Sequence, residues 1–99
     1  MTDFAGGKTY TTTSASAQLI ENRQERRLAF SITNYGTNTA WLMLSNTQAA
    51  AVGTGIPLYA GETIVDGNSD IYKCWQGSIA VIQDTAGTTT LSVWERVSL

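Results

Sequence analysis

The sequence contains no histidine, and this absence removes the commonest acid-base residue and transition-metal ligand. Neither a Ser-His-acid nor a Cys-His catalytic arrangement can be assembled without it. The single cysteine, Cys74, allows no internal disulfide and offers zinc one thiol. We therefore predict that the protein is not an enzyme and that it has no catalytic residues, no metal site and no cofactor.

Asp66, Asn68 and Asp70 have the spacing of the first three ligands of a calcium loop. The later positions do not fit, because Ile71 replaces the required glycine and Gly77 replaces the bidentate glutamate. We predict that this segment is a turn in which Asp and Asn serve the backbone.

Charge is also scarce, since Asp, Glu, Lys and Arg make up 14% of the chain and the net charge is -2. Nucleic-acid-binding domains carry clustered Lys and Arg, so we expect no nucleic-acid partner. No apolar run approaches the roughly 18 residues that cross a membrane, and residues 1–8 lack the apolar segment of a secretion signal. We expect no membrane partner and synthesis in a reducing cytoplasm.

Thr, Ser, Gly, Ala and Asn take the place of the missing charges, and this composition favours strands joined by tight turns. Turn signals recur about every 8 to 12 residues, which is typical of a sandwich or small barrel. We predict an all-β protein whose residues 17–99 form an antiparallel β-sandwich, jelly-roll-like or Greek-key. Residues 1–16 are predicted to be a short extended N-terminal arm.

Residues 28–45 are the centre of this prediction. Leu28, Phe30 and Ile32 alternate with smaller residues and should share one face of a strand. The Asn- and Gly-containing turn that follows predicts a hairpin to the apolar run 40–44, which we place in the middle of a sheet. The other predicted strands are 18–20, 56–59 at an edge because of Pro57, 63–65, 71–75, and 78–83 in a hairpin with 89–97.

Arg23, Arg26 and Arg27 form the densest positive charge in the sequence. Arginine binds carboxylates through a planar fork of donors, so these three residues are candidates for contact with a partner protein. The alternative is a solvated loop in which they pair with Glu21 and Glu25.

Trp94 is the aromatic residue most expected at the surface. Its strand should turn Leu91, Val93 and Val97 inward, which leaves Trp94 on the opposite face. We predict that Trp94 contacts a partner. Alternatively it forms a sugar-stacking platform with Trp75 or loop tyrosines, whereas most of the other aromatic residues fill the core.

Six segments together carry a family resemblance. They are RRLAFSITN (26–34), AWL (40–42), GIPL (55–58), AGE (60–62), IAVI (79–82) and LSVWE (91–95). Between residues 18 and 97, this order of strands and turns resembles the β-sandwich proteins that decorate the heads of tailed bacteriophages, with similar modules in head fibres.

The resemblance implies a capsid decoration (cement) protein. Such a protein would be made in the host bacterial cytoplasm, bind the major capsid protein on the outer surface of the mature head, associate as a homotrimer and stabilise the shell within the virion. The alternative function is a receptor- or carbohydrate-binding module of a phage fibre or tail.

Overall fold

A computed structural model describes residues 3–84 and 89–98, and every regular element in this part of the chain is a β-strand. The strands are β1 (Asp3–Thr11), β2 (Ala17–Ile20), β3 (Arg27–Asn34), β4 (Ala40–Leu44), β5 (Ile56–Leu58), β6 (Thr63–Gly67), β7 (Ile79–Gln83) and β8 (Thr90–Ser98). No helix able to span a membrane occurs in these residues.

The strands form two antiparallel sheets of four. The first sheet has the order β1-β8-β3-β6 and the second has the order β2-β7-β4-β5. Most consecutive strands lie in different sheets, which is the arrangement of a double-sheet jelly roll. The predicted all-β antiparallel sandwich is therefore confirmed.

The hydrophobic core fills the space between the sheets. Most of its buried members come from alternate positions of β3, β4, β7 and β8, as the two-residue period of a strand requires, and β2 and β5 supply the rest. They are Leu19, Ile20, Phe30, Ile32, Ala40, Leu42, Leu58, Ile79, Val81, Leu91 and Val93.

Both predicted hairpins are wrong, although the strands themselves are found. β3 lies in the first sheet and β4 in the second, so the turn between them crosses the sandwich. Buried Asn34 holds this crossing, because its Nδ2 donates to the carbonyl oxygens of Asn38 at 2.8 Å and Leu58 at 2.9 Å. β7 and β8 are likewise in opposite sheets, and most of the turn predicted between them lies outside the described residues.

The predicted N-terminal arm is extended, but its described residues belong to the sandwich. β1 pairs with β8 over nine positions and forms one edge of the first sheet. Tyr10 packs against the core and Thr12 is buried, which anchors the segment. The described part of the segment is thus an edge strand of the sandwich, and its division from residues 17–99 stays a prediction.

The segment 71–75 is not the strand that was predicted. Ile71 is 98% exposed, and no regular strand is formed over 71–75. The backbone amides of Cys74 and Trp75 donate to side-chain oxygens instead of to a neighbouring strand. Asn68 Oδ1 accepts from the Cys74 amide at 2.7 Å, and Asp66 Oδ2 accepts from the Trp75 amide at 3.1 Å. Local side-chain bonds of this kind compete with sheet formation.

A β-bulge at Leu28 changes which side chain β3 places in the interior. Arg27 is opposite Val97 and Ala29 is opposite Arg96, so Leu28 is an extra residue in β3. As a result Arg27, rather than Leu28, is fully buried on the inner face.

Candidate functional site

Trp94 lies in the middle of the outer face of the first sheet. It is opposite Gly7 of β1 and Ser31 of β3, and Ser31 is in turn opposite Val65 of β6. Opposed residues of antiparallel strands share a face, so these four form one row across the sheet. The two neighbours of Trp94 in this row are small, and Trp94 is 39% exposed, whereas Val65 at the edge is 71% exposed. We call these four residues the first-sheet row.

The rows beside the first-sheet row carry small or hydroxyl side chains. One comprises Thr9, Ser92, Thr33 and Thr63, and the other includes Arg96, Ala29 and Gly67. Arg96 is the one charged residue in these rows as described. This face is therefore weakly charged and covered mainly by small side chains, with an indole at its centre.

The outer face of the second sheet is more apolar. Trp41 and Met43 of β4 are opposite Ile82 and Ala80 of β7, and all four are half-buried. Their neighbours in sequence, including Leu42 and Val81, face the core. The Trp41 Nε1 donor is buried without a hydrogen-bond partner among the described residues. We call Trp41, Met43, Ala80 and Ile82 the second-sheet patch.

Sequence reasoning identified the apolar runs of β4 and β7 but not this patch. Unbroken apolarity was interpreted as burial on both faces. In the structure one face is buried by the opposite sheet, whereas the other is partly open. The unbroken apolar runs were therefore the sequence signal for the patch. An apolar run does not show, however, whether the outer face of its strand is covered or open.

Arg27 lies inside the protein, where its side chain is 0% exposed. Its Nε donates to Glu95 Oε2 at 2.8 Å. The two terminal nitrogens donate to the carbonyl oxygens of Trp75 at 2.6 Å, Gly77 at 3.1 Å and Glu21 at 2.7 Å. Since no part of this guanidinium reaches the surface, Arg27 is a core residue and is unavailable for the predicted partner contact.

Arg23 binds the same carboxylate as Arg27. Its Nε and Nη2 donate to the two oxygens of Glu95 at 2.8 and 2.7 Å, and its Nη1 donates to Glu21 at 2.7 Å. Hydrogen bonding to Glu95 raises the pKa of Arg23, although burial opposes the change. The predicted pairing with Glu21 is thus observed, within a larger network that sequence reasoning missed.

Glu95 is the centre of this ionic cluster. Burial favours its neutral form and raises its pKa, but hydrogen bonds and charges from Arg23 and Arg27 outweigh burial and hold the pKa of Glu95 below its usual value. The available sequence signal was that Glu95 continues the inward alternation of Leu91 and Val93. A carboxylate at an inward position requires a cation beside it.

Arg26 is the exposed member of the three arginines. Its amide donates to the carbonyl oxygen of Arg23 at 3.1 Å and closes a turn in which Gln24 and Glu25 have φ of 51° and 72°. The arginines therefore do not form one donor surface, because two face Glu95 and one faces solvent. Contact of Arg26 or Trp94 with a partner stays a prediction.

The acidic segment 66–70 serves the backbone, as described for Asp66 and Asn68. Asp66 also accepts from the Tyr72 hydroxyl at 3.3 Å, and this bond raises the pKa of Tyr72. Within residues 3–84 and 89–98, no three His, Cys, Asp or Glu side chains lie close enough to hold a metal ion.

Of the other predicted aromatic candidates, Trp75 and Tyr72 lie near each other, because both line one cavity and the Trp75 amide and the Tyr72 hydroxyl both donate to Asp66 Oδ2. Trp75 is half-buried against the core, and its Nε1 donates to the carbonyl oxygen of Ser78 at 3.0 Å. Tyr35, Tyr59 and Tyr72 are exposed on loops. The structure does not place Trp75 beside Trp94 on the first-sheet face.

Comparison with known proteins shows the fold but not a family. No family model matches the sequence, and no curated protein matches it. Two solved structures share the architecture. A protein of the disulfide-linked pili that form Bacillus endospore appendages aligns over 99% of this chain and 88% of its own, with a TM-score of 0.59 and 12% identity. PirA aligns over 90% of this chain and 92% of its own, with a TM-score of 0.54 and 12% identity.

The coat protein of Tobacco streak virus aligns over 98% of this chain and 86% of its own, but its TM-score of 0.47 at 9% identity is too low to argue from. The β-sandwich of this chain is thus an architecture that a pilus protein also uses. At such low identity the likeness concerns the fold alone.

Proposed function

We propose that the protein is a structural component of a tailed-bacteriophage particle, a capsid decoration (cement) protein that associates as a trimer on the outer surface of the mature head. The observation that carries this proposal is the second-sheet patch. An antiparallel sheet usually keeps its solvent face polar, whereas Trp41, Met43, Ala80 and Ile82 make this face apolar.

The two sheet faces suit two different contacts. Permanent interfaces between identical subunits are the more apolar kind, so we assign the second-sheet patch to the contact between copies. A weakly charged surface with an indole at its centre suits a separate partner, because tryptophan is enriched among residues that dominate binding energy. We therefore assign the first-sheet row, with Trp94, to the major capsid protein.

The fold shared with a pilus protein supports a role in assembly, and the single cysteine indicates what kind. Cys74 is 2% exposed, and it is the one cysteine of the chain. A disulfide between copies would need this thiol at the surface, so the proposed assembly is held by non-covalent contacts. Many identical weak contacts on a symmetric shell add up through multivalency.

The test is co-sedimentation of the purified protein with mature capsids that lack it, with the bound copies counted per particle. We expect hundreds of copies for the unchanged protein and a large loss for Trp94→Ala. Tyr59→Ala is the matched control, because Tyr59 is also an exposed aromatic residue but lies in a turn away from the first-sheet row. A handful of copies, or equal loss in both variants, would contradict the assignment.

The contact between copies is tested separately by analytical ultracentrifugation. We expect the unchanged protein to be a trimer and Ile82→Asn to dissociate it, since a polar group on the patch must lose water on association. Val65→Asn on the other sheet should leave the trimer intact. A folded monomer at all concentrations for the unchanged protein would remove the second-sheet patch from the proposal.

A second candidate function is binding of a carbohydrate receptor, as a fibre or tail module would do. The observation that favours it is the position of Trp94 between Gly7 and Ser31, which leaves the indole accessible for stacking on a sugar ring. Glycan-array signals that disappear with Trp94→Ala, together with no capsid binding, would favour this function over the first.

A further inference from the structure

A cleft opens between the two sheets on the side where the edge strands β1 and β2 lie. Its volume is about 480 Å³, which is within the range of sites that bind small molecules. Its walls come from β1, β2, β8 and the loop that carries Arg23. It lies apart from the second-sheet patch, and it shares with the first-sheet row only the backbone position Gly7, because the other members of that row face outward.

The cleft exists because β1 lacks a side chain at an inward position. Gly6 is opposite Glu95, which points into the sandwich, so a side chain at residue 6 would point inward too. A Cβ atom added at Gly6 would meet no atom within 4 Å. Protein interiors are normally packed without such gaps, so this open space is a feature of the β1 sequence.

The floor of the cleft is apolar. Leu19, Ile20 and Val93 line it, and all three belong to the buried core. A β-bulge in β2 explains why two successive residues are available. Gln18 is opposite Ala80 and Ile20 is opposite Ile79, so Leu19 is an extra residue, and both Leu19 and Ile20 are buried.

The charges at the cleft leave one cation unmatched. Glu95 accepts from Arg23 and Arg27, and Glu21 accepts from Arg23, so these four charges compensate one another. Lys8 is opposite Val93 and lines the cleft, and its ammonium group has no side-chain partner among the described residues. Lys8 is exposed, so its ammonium group lies in water at the opening of the cleft beside the apolar floor, where it can pair with a ligand that carries a negative charge.

Arg23 supplies a second set of donors at the same place. A guanidinium carries five N–H groups, and three of those on Arg23 are used by Glu21 and Glu95. Two N–H groups of Arg23 remain, and the hydrogen bonds to Glu21 and Glu95 fix the position of the side chain that carries them. A group held in this way needs little reorganisation to bind a carboxylate.

We propose that the cleft between β1 and β2 binds a small amphipathic carboxylate. The apolar body of the ligand lies on Leu19, Ile20 and Val93, in the space left by Gly6. Its carboxylate accepts hydrogen bonds from Lys8 and Arg23. This inference is independent of the proposed capsid role, because it uses neither outer sheet face.

Octanoate, below its micelle concentration, is a suitable probe in a titration followed by amide chemical shifts of the full chain. We expect saturable shifts concentrated on Gly6, Leu19 and Val93, with a dissociation constant below about 1 mM. Octan-1-ol and octylammonium have the same apolar body without the negative charge, and they should bind at least about tenfold more weakly. Equal binding of all three would overturn the proposed role of Lys8 and Arg23.

Three variants complete the test. Gly6→Val fills the space that the apolar body would occupy and should abolish binding while the rest of the spectrum stays dispersed. Lys8→Gln should weaken octanoate binding about tenfold and leave octan-1-ol binding unchanged. Lys73→Gln is the control, because Lys73 pairs with Glu25 outside the cleft. Absence of saturable shifts with the unchanged protein, or full binding by a folded Gly6→Val, would refute the proposal.

Discussion

Replacing Glu95 by glutamine tests whether the buried ionic cluster stabilises the fold. The carboxylate accepts three charge-assisted hydrogen bonds of 2.7 to 2.8 Å from Arg23 and Arg27, and its side chain is 11% exposed. Glutamine keeps the shape but removes the charge. Arg27, at 0% exposure, would then be a buried cation without a counter-ion.

The size of the expected stability loss depends on the hydrogen bonds that Arg27 retains in Glu95→Gln. Removal of one partner from a buried ion pair costs about 3–5 kcal/mol. Three carbonyl oxygens would still accept from Arg27, and Arg23 is 20% exposed, so the lower value applies. We expect Glu95→Gln to lower the free energy of unfolding by about 3 kcal/mol, out of the about 5–15 kcal/mol typical of a domain.

The assay is urea unfolding at neutral pH followed by tryptophan fluorescence, in which the midpoint should fall by roughly 2 M. Glu25→Gln is the matched control, because Glu25 pairs with Lys73 at the surface, and it should change stability by less than about 0.5 kcal/mol. Arg27→Met added to Glu95→Gln should recover part of the loss, since it removes the unpaired charge. A loss below about 1 kcal/mol for Glu95→Gln would refute this reasoning.

Two further predictions concern acid and packing. Because the pKa of Glu95 is lower in the folded protein than in the unfolded chain, its contribution is present above the ordinary carboxyl pKa of about 4.3 and is lost as pH falls through the lowered value. Urea midpoints measured down to about pH 3 should therefore fall less steeply for Glu95→Gln than for the unchanged protein. Gly36→Ala should cost about 1–3 kcal/mol, because the new methyl group would overlap the buried Thr89, whereas Gly6→Ala points into open space and should not destabilise. Equal thermal midpoints for these two alanine variants would contradict the packing argument.

Local alternation predicted strands well, because it depends on residues that are neighbours in sequence. Leu91, Val93 and Val97 face inward and Trp94 outward, as their spacing indicated. The edge position expected from Pro57 is also found, since β5 forms one edge of the second sheet.

The partner of each strand was not predictable in the same way. A turn rich in Asn and Gly is compatible with a hairpin and with a crossing between sheets. Buried Asn34 decides in favour of the crossing through one local bond to Asn38 and one long-range bond to Leu58. The bulge at Leu28 was equally hidden, because one extra residue exchanges the side chains on the two faces of a strand. Arg27 was therefore expected at the surface, and its burial became visible only with the pairing of β3 and β8.

The first-sheet row has a consequence for when the protein can act. Its members are residues 7, 31, 65 and 94, which come from four strands, and β8 lies between β1 and β3. Of the strand pairings in the described residues, β4 with β5 is the one that joins strands adjacent in sequence. Closing such long loops is slow and occurs late in folding. Most of this chain must therefore be synthesised before the first-sheet row exists as a surface, and a chain that still lacks β8 cannot present it.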